Sequence, residues 1–144
     1  MLLKPKITKY KKVFKGRVKG LAVRTSVIRF GKFGLRTLEP ARLTAKQIEA
    51  IKKTILKLLK KKGKLWVRIF PDIPVTAKPI GVRMGSGKGN VDYWCARVKK
   101  GNVLFEIDGV DESTAKKIFK IAGNKLPVNA LFIKRFSISD KFKV

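Results

Sequence analysis

Residues 43–71 read L-T-A-K-Q-I-E-A-I-K-K-T-I-L-K-L-L-K-K-K-G-K-L-W-V-R-I-F-P, and the spacing of their apolar residues changes part-way along. Thr44 and Gln47 have the spacing of a capping box, in which the threonine hydroxyl accepts the N–H of Gln47 and the glutamine side chain reaches back. Apolar residues then recur every three or four positions, as on one face of a helix. The pattern predicts a helix over residues 45–62 that ends at Gly63 in the left-handed conformation.

Apolar residues alternate with others after this helix, which predicts a strand over residues 65–69. The prolines at 71, 74 and 79 indicate an extended connection. Asp111 is a suitable cap for a second helix that ends near residue 125. The remaining apolar stretches predict strands over 80–84, 91–98, 102–107 and 128–136, and a hairpin of strands 26–30 and 35–39.

Strands interrupted by two helices, without β-α-β alternation, predict an α+β fold. We expect a largely antiparallel sheet packed with two helices as a two-layer sandwich. The chain is expected to divide into a basic extended N-terminal arm (residues 1–24, called the arm below), a single α+β domain (25–136) and a C-terminal tail (137–144).

The charge is strongly positive and unevenly distributed. The chain has 36 Lys and Arg against 9 Asp and Glu, a formal charge of +27, and no acidic residue precedes Glu39. Uncompensated cations repel one another in a free chain, but along a phosphate backbone they are neutralised and release counterions. The arm is therefore predicted to bind a polyanion, with these candidate contacts: Lys4, Lys6, Lys9, Lys11, Lys12, Lys15, Arg17, Lys19 and Arg24.

A second basic segment is R-M-G-S-G-K-G-N, residues 83–90. It is not a P-loop, because Val82 and Gly89 stand where that motif needs glycine and Ser or Thr. The glycine spacing also fails the dinucleotide fingerprint. Two interpretations stay open: a cationic loop that inserts into a polyanion, or merely a wide hairpin. The first adds these candidate RNA-binding residues: Arg83, Met84, Gly85, Ser86, Gly87, Lys88, Gly89 and Asn90. Two cations that precede this segment, Arg68 and Lys78, are further candidates.

Catalysis and metal binding find no support in the composition. The sequence has no histidine and therefore lacks the commonest general base and the commonest zinc ligand. We predict no catalytic residue, no metal ligand, no cofactor and no small-molecule substrate. No apolar run reaches the roughly 18 residues of a membrane span. Cys95 lies in an apolar run and is predicted to be a buried structural thiol. Trp66 and Trp94 are predicted to be core residues rather than base-stacking platforms.

Charge alone leaves other binding functions open. Two interpretations of the lysines on the 45–62 helix stay open. The preferred one is an ordinary solvated face, and the alternative is contact with phosphates. A stand-alone basic module for membranes or acidic partners would use such an amphipathic helix. A nuclear or mRNA-binding protein would have a similar charge.

Collinear motifs favour one family over these alternatives. The chain resembles the bacterial-type large-subunit ribosomal protein L-sixteen in L-K-P-K-I-T-K-Y-K-K-V-F-K-G-R (3–17), F-G-K-F-G-L (30–35), A-R-L-T-A-K-Q-I-E-A (41–50), G-K-L-W-V-R-I-F-P-D-I-P-V-T-A-K-P (63–79), V-R-M-G-S-G-K-G-N-V-D-Y-W (82–94), V-L-F-E-I-D-G-V (103–110) and K-L-P-V-N (125–129).

The resemblance implies an α+β sandwich that binds large-subunit ribosomal RNA beside other ribosomal proteins, near the aminoacyl-site tRNA and the peptidyl-transferase region. Residues 4–19 would penetrate the rRNA, and residues 83–90 would be directed toward the functional centre. Ser86 departs from the family, where a basic residue is frequent. The stretch after residue 133 fits less clearly.

The compartment is predicted only from composition. The abundance of lysine, isoleucine and phenylalanine favours an organellar ribosome, in the mitochondrial matrix before the plastid stroma, with the bacterial cytoplasm as the alternative. The first motif begins almost at Met1, so no retained presequence is expected.

Overall fold

The computed structural model describes residues 3–135 and contains two helices and seven strands in that range. In chain order these elements are β1 (Phe33–Thr37), β2 (Ala41–Thr44), α1 (Ala45–Leu59), β3 (Lys64–Val67), β4 (Ile73–Ala77), β5 (Asn90–Val98), β6 (Val103–Asp108), α2 (Glu112–Gly123) and β7 (Ala130–Lys134). The prediction of an α+β fold is confirmed.

The strands form two antiparallel sheets instead of the single one expected. A four-stranded sheet has the order β3-β6-β1-β7, and a three-stranded sheet has the order β2-β5-β4. Helix α2 packs on β1 and β7, while α1 contacts α2 and strands of both sheets. The core between these layers includes Leu43 from β2, Ile51 from α1, Phe105 from β6 and Phe119 from α2, all at most 1% exposed.

Helix α1 starts as predicted but ends earlier. Thr44 is its N-cap, and both halves of the capping box with Gln47 are present. The helix stops at Leu59 because Lys60 takes the left-handed conformation, with φ of 46°. Gly63 is therefore not the terminator. It is needed for packing, since a Cβ there would lie 2.6 Å from the carbonyl oxygen of Asp108.

Helix α2 also has the predicted cap. The Asp111 carboxylate accepts the backbone N–H of Thr114 at 3.0 Å and the hydroxyl of Ser113. The Ser113 and Thr114 donors hold the pKa of Asp111 well below its usual range. Four residues on one face of α2 are buried, as the spacing predicts: Ala115, Ile118, Phe119 and Ala122.

The predicted hairpin of 26–30 and 35–39 is wrong. Residues 26–30 form no strand, and β1 pairs with β6 and β7 instead. The backbone N–H groups of Arg29, Phe30 and Gly31 donate to the side-chain carboxylate of Glu106, at 3.2, 2.7 and 3.0 Å. A carboxylate therefore takes the donors that a strand ladder would have used.

The predicted strand over 80–84 is also wrong, because that segment is loop and the strand lies earlier, at β4. Pro74 is buried within β4 and lies opposite Trp94 of β5. Proline lacks a donor and is tolerated on an edge strand, and β4 is at the edge of its sheet. The proline that suggested a connection thus belongs to a strand.

The remaining predicted elements differ only at their ends. The strand expected over 65–69 is β3, and the strand expected over 128–136 is β7. Residue 136 and the predicted tail, 137–144, lie outside the described residues. The division into arm, domain and tail stays a prediction.

Cys95 is buried, as predicted, with 1% of its surface exposed. Burial raises the pKa of its thiol, although nearby Arg42 opposes the shift. Trp66 and Trp94 are only half-buried and lie outside the fully buried core. Trp66 stacks with the partly exposed ring of Phe30 at a centroid distance of 6.2 Å.

Candidate nucleic-acid interface

The glycine-rich segment lies in the loop of the β4–β5 hairpin. Strand pairing ends at Ala77 and Asn90, which leaves residues 78–89 as the connecting loop. Gly89 sits at its base, where a Cβ would lie 2.3 Å from the carbonyl oxygen of Ala77. Gly85 and Gly87 have positive φ of 94° and 82° and open space around them. One glycine thus allows close packing of the backbone, and two allow it to turn.

The tip of this loop presents both cations and apolar side chains. Arg83 and Lys88 are exposed, and so are Ile80 and Met84, at 105% and 99%. The Lys78 amine donates to the carbonyl of Gly85 and so crosses the loop. Surfaces that combine positive charge with freely exposed apolar groups suit a partner that offers both phosphates and bases.

The loop and the arm contact each other through two lysines. The Lys12 amine donates to the Lys88 carbonyl at 2.7 Å, and the Lys88 amine donates to the Val13 carbonyl at 2.7 Å. Lys88 also lies over the ring of Phe14, 5.2 Å from its centroid. The two segments that the sequence singled out separately are therefore adjacent, and they form one basic surface.

The arm also lies against the three-stranded sheet. Arg97 of β5 donates to the Phe14 carbonyl at 3.3 Å, and Arg42 of β2 donates to the carbonyls of Lys15 and Gly16. Farther along, the backbone N–H of Ala22 donates to the Lys100 carbonyl at 2.9 Å. Within residues 3–24 the chain has no helix or paired strand apart from the isolated bridge that joins Leu21 to Lys100.

The remaining candidates in the arm are exposed cations. They are Lys4, Lys6, Lys9, Lys11, Lys15, Arg17, Lys19 and Arg24. Arg42 and Arg97, which hold the arm, were missed by the sequence reasoning. The sequence carried no local signal for them, because the two arginines become neighbours only through the pairing of β2 with β5.

Arg68 occupies a different environment from the other candidates. Its guanidinium pairs with the Glu106 carboxylate, its side chain is only 10% exposed and that of Glu106 is fully buried. Burial favours the neutral carboxyl, but the N–H groups of Gly31, Phe30 and Arg29, together with Arg68, outweigh it and hold the pKa of Glu106 below its ordinary value. Arg68 therefore neutralises a buried charge that fixes residues 29–31.

Other kinds of site are not formed by the described residues. Within residues 3–135 no group of three or more His, Cys, Asp or Glu side chains is placed to hold a metal ion. No helix in the same range has the length and apolar character to cross a bilayer.

A model for the family described as ribosomal protein L16p/L10e matches residues 5–133. The chain belongs to this family. Members named "Large ribosomal subunit protein uL16" from Chelativorans sp. and Mesorhizobium japonicum are 50% and 52% identical, each over 94% of this chain and 99% of the relative. The member of that name from Erythrobacter litoralis is 52% identical over 94% of both chains.

Membership of the L16p/L10e family confirms the resemblance drawn from the motifs and makes this chain a ribosomal protein, not an enzyme. The three relatives named are bacterial, so they give no support to the preference for a mitochondrion. A bacterial cytoplasm fits them.

Proposed function

We propose that this chain is a structural constituent of the large ribosomal subunit that binds large-subunit rRNA through the arm and the glycine-rich loop acting together. The observation that carries the proposal is the contact between Lys12 and Lys88, which joins the basic arm to the basic glycine-rich loop. No acidic residue lies in the arm or between Asp72 and Asp92. Glu49 and Asp92 line a cavity beside Lys4, but neither belongs to the two contacting segments.

The names of the relatives support the partners proposed for this chain. They are named as large ribosomal subunit proteins. We therefore propose the other components of that subunit, its rRNA and neighbouring ribosomal proteins, as partners of this chain. Phosphate contacts fix the position of a protein without reading base sequence. Specificity would therefore come from the shape of the folded rRNA around the arm and loop.

The finer part of the proposal concerns the aminoacyl-site tRNA. The family resemblance implies that the loop helps to organise that site near the peptidyl-transferase centre. Arg83 is the loop cation proposed for this role, because it is exposed. The other two cations of the loop, Lys78 and Lys88, donate to backbone carbonyls. A guanidinium binds a phosphate or a base edge with two parallel hydrogen bonds, which an ammonium cannot do. An Arg83→Lys protein should assemble into subunits but translate more slowly, and unchanged translation would refute this role.

The compartment is proposed only at the coarse level, as a ribosome of the bacterial type. An organellar ribosome in the mitochondrial matrix or plastid stroma rests on amino-acid composition alone. Sedimentation of the native protein with cytoplasmic or organellar ribosomes would decide this point.

The salt dependence of rRNA binding tests the main proposal. Four exposed arm lysines are changed to Gln in one variant, at Lys4, Lys6, Lys9 and Lys11. A control removes the same charge from the helices, at Lys46, Lys57, Lys117 and Lys120. Each lost phosphate contact reduces the steepness of log K against log salt by roughly 0.7 to 0.9, so the arm variant should lose up to roughly 2.8 to 3.6 and the control much less.

Equal slopes for the two variants would contradict the assignment of the arm. The parent protein should co-sediment with large ribosomal subunits and should not float with anionic vesicles. Flotation without co-sedimentation would favour the membrane-binding alternative and refute the proposal.

A further inference from the structure

Two arginines lie side by side beneath the arm. Arg42 of β2 and Arg97 of β5 are direct cross-strand partners, and like charges in that arrangement repel each other. No ion pair to a carboxylate is formed by either one within residues 3–135. Their recorded hydrogen bonds go to arm carbonyls at residues 14–16. Neutral carbonyls leave two positive charges uncompensated.

The hydrogen-bonding capacity of this pair is only partly used. A guanidinium carries five N–H donors, whereas Arg97 donates to the single carbonyl of Phe14 through one terminal nitrogen. Arg42 uses one terminal nitrogen for two carbonyls, and its Nε is buried without a partner among the described residues. The docked arm alone does not satisfy the pair.

More cations surround the same place. A cavity of about 590 Å³ lies between the arm and the ends of β5 and β6, and its walls carry Arg17, Lys19, Arg24, Arg97 and Lys99. A smaller cavity of about 280 Å³ shares Arg17 with the first and is also lined by Arg42. Neither cavity has a carboxylate among its described lining residues. Such a concave, uniformly cationic surface suits an anion.

We propose that Arg42, Arg97 and Arg17 form a phosphate clamp at the root of the arm, and that its ligand is the backbone of rRNA. The proposal rests on the function proposed above and adds a site away from the glycine-rich loop. Two of these three arginines, Arg42 and Arg97, also hold the carbonyls of residues 14–16. Phosphate binding would therefore reduce the repulsion between Arg42 and Arg97 and fix the arm on the sheet.

The test compares Arg42→Gln/Arg97→Gln with a control of equal charge loss on the helices, Lys57→Gln/Lys117→Gln. Binding of the full chain to purified large-subunit rRNA is measured over a range of salt. The arginine variant should reduce the steepness of log K against log salt by roughly 1.4 to 1.8, as for two lost phosphate contacts. The control should change it much less. Equal changes in the two variants would overturn the clamp.

The position of the arm on the sheet gives a second test of the clamp. Tryptic cleavage after Arg17 should be slowed several-fold by rRNA in the parent and in the control, but little in Arg42→Gln/Arg97→Gln. Inorganic phosphate at the same phosphate concentration should give no protection. Equal protection by inorganic phosphate would show that the site takes free anions and would overturn the assignment to RNA.

A third variant separates charge from folding. Arg42→Lys/Arg97→Lys keeps both charges, so its salt slope should stay close to that of the parent. A salt dependence as weak as that of the Gln variant would show that the change disturbs the strands, and it would refute the clamp. A parent protein that binds rRNA without steep salt dependence would refute the proposed function itself, whereas a Gln variant indistinguishable from its control would refute the clamp alone.

Discussion

Replacement of Glu106 by Gln should be the most damaging conservative change in the domain. Glu106 lies on β6, between β3 and β1, and its side chain is fully buried. One carboxylate oxygen accepts the N–H of Phe30 and Gly31, and the other accepts the N–H of Arg29 and the Arg68 guanidinium. An amide offers one oxygen and one NH₂ group. Two of the four N–H donors must then face the NH₂ group, which is itself a donor. Arg68 also loses the negative charge that neutralises it.

The size of the effect follows from the burial of this group. Breaking a buried ion pair by removing one partner costs about 3–5 kcal/mol, because the remaining charge is left uncompensated. That is a large share of the roughly 5–15 kcal/mol by which domains of ordinary size are stable. With a shift of about 4 °C per kcal/mol for a chain of this length, the melting temperature should fall by roughly 12–20 °C.

The measurement is urea unfolding, followed by tryptophan fluorescence and circular dichroism. Glu49→Gln is the matched control, because it makes the same chemical change at an exposed residue that pairs with Lys53 on α1 at 3.1 Å. Exposed pairs of this kind contribute about 0.5 kcal/mol or less. If Glu106→Gln cost no more than Glu49→Gln, the buried carboxylate would not be what holds residues 29–31 in place.

Further predictions concern pH, packing and helix capping. The folded-state pKa of Glu106 lies below its ordinary value of 4.5, so its contribution to stability is present above pH 4.5 and is lost as the pH falls through the folded pKa. The stability gap between the parent and Glu106→Gln, measured by urea unfolding, should therefore narrow in acid; a gap that widened would contradict the sign. Gly89→Ala should disturb the loop base, because its Cβ would overlap the backbone of Ala77, whereas Gly123→Ala meets open space. Amide exchange of residues 77–90 should rise only in the first variant. Thr44→Ala removes the cap of α1 and should cost about 1 kcal/mol in urea unfolding, and a loss below about 0.3 kcal/mol would contradict the role of the cap.

Local signals in the sequence were sufficient for the helices. The start of α1 depends on Thr44 and Gln47, which are three residues apart, and the cap of α2 depends on Asp111 and its neighbours. These interactions are close in sequence, so spacing reveals them. The end of α1 was missed because Lys60 takes a left-handed conformation that glycine would adopt more easily.

Long-range interactions explain the errors in the strands. Glu106 takes backbone donors from residues 75 to 77 positions away, and no local pattern announces such a partner. The edge position of β4, which lets it tolerate Pro74, depends on the order of strands in the sheet. Propensity alone could reveal neither of them.

The candidate site was found in part. Charge and glycine spacing identified the arm and the loop separately, and the structure shows that they touch. Arg42 and Arg97 were overlooked because each is a single cation in an apolar strand, and only strand pairing brings them together. Arg68 was included on charge, although its partner is buried Glu106.

The claim that arm and loop form one rRNA-binding surface can be tested directly by tethered hydroxyl-radical cleavage in reconstituted large subunits. Iron chelates are attached at Thr8→Cys in the arm and, in a separate protein, at Ser86→Cys in the loop. The unsubstituted protein is the control, because its Cys95 is buried. Both tethers should cleave rRNA, in regions that adjoin in the folded subunit. Cleavage from neither position, or at sites far apart in the subunit, would contradict the account.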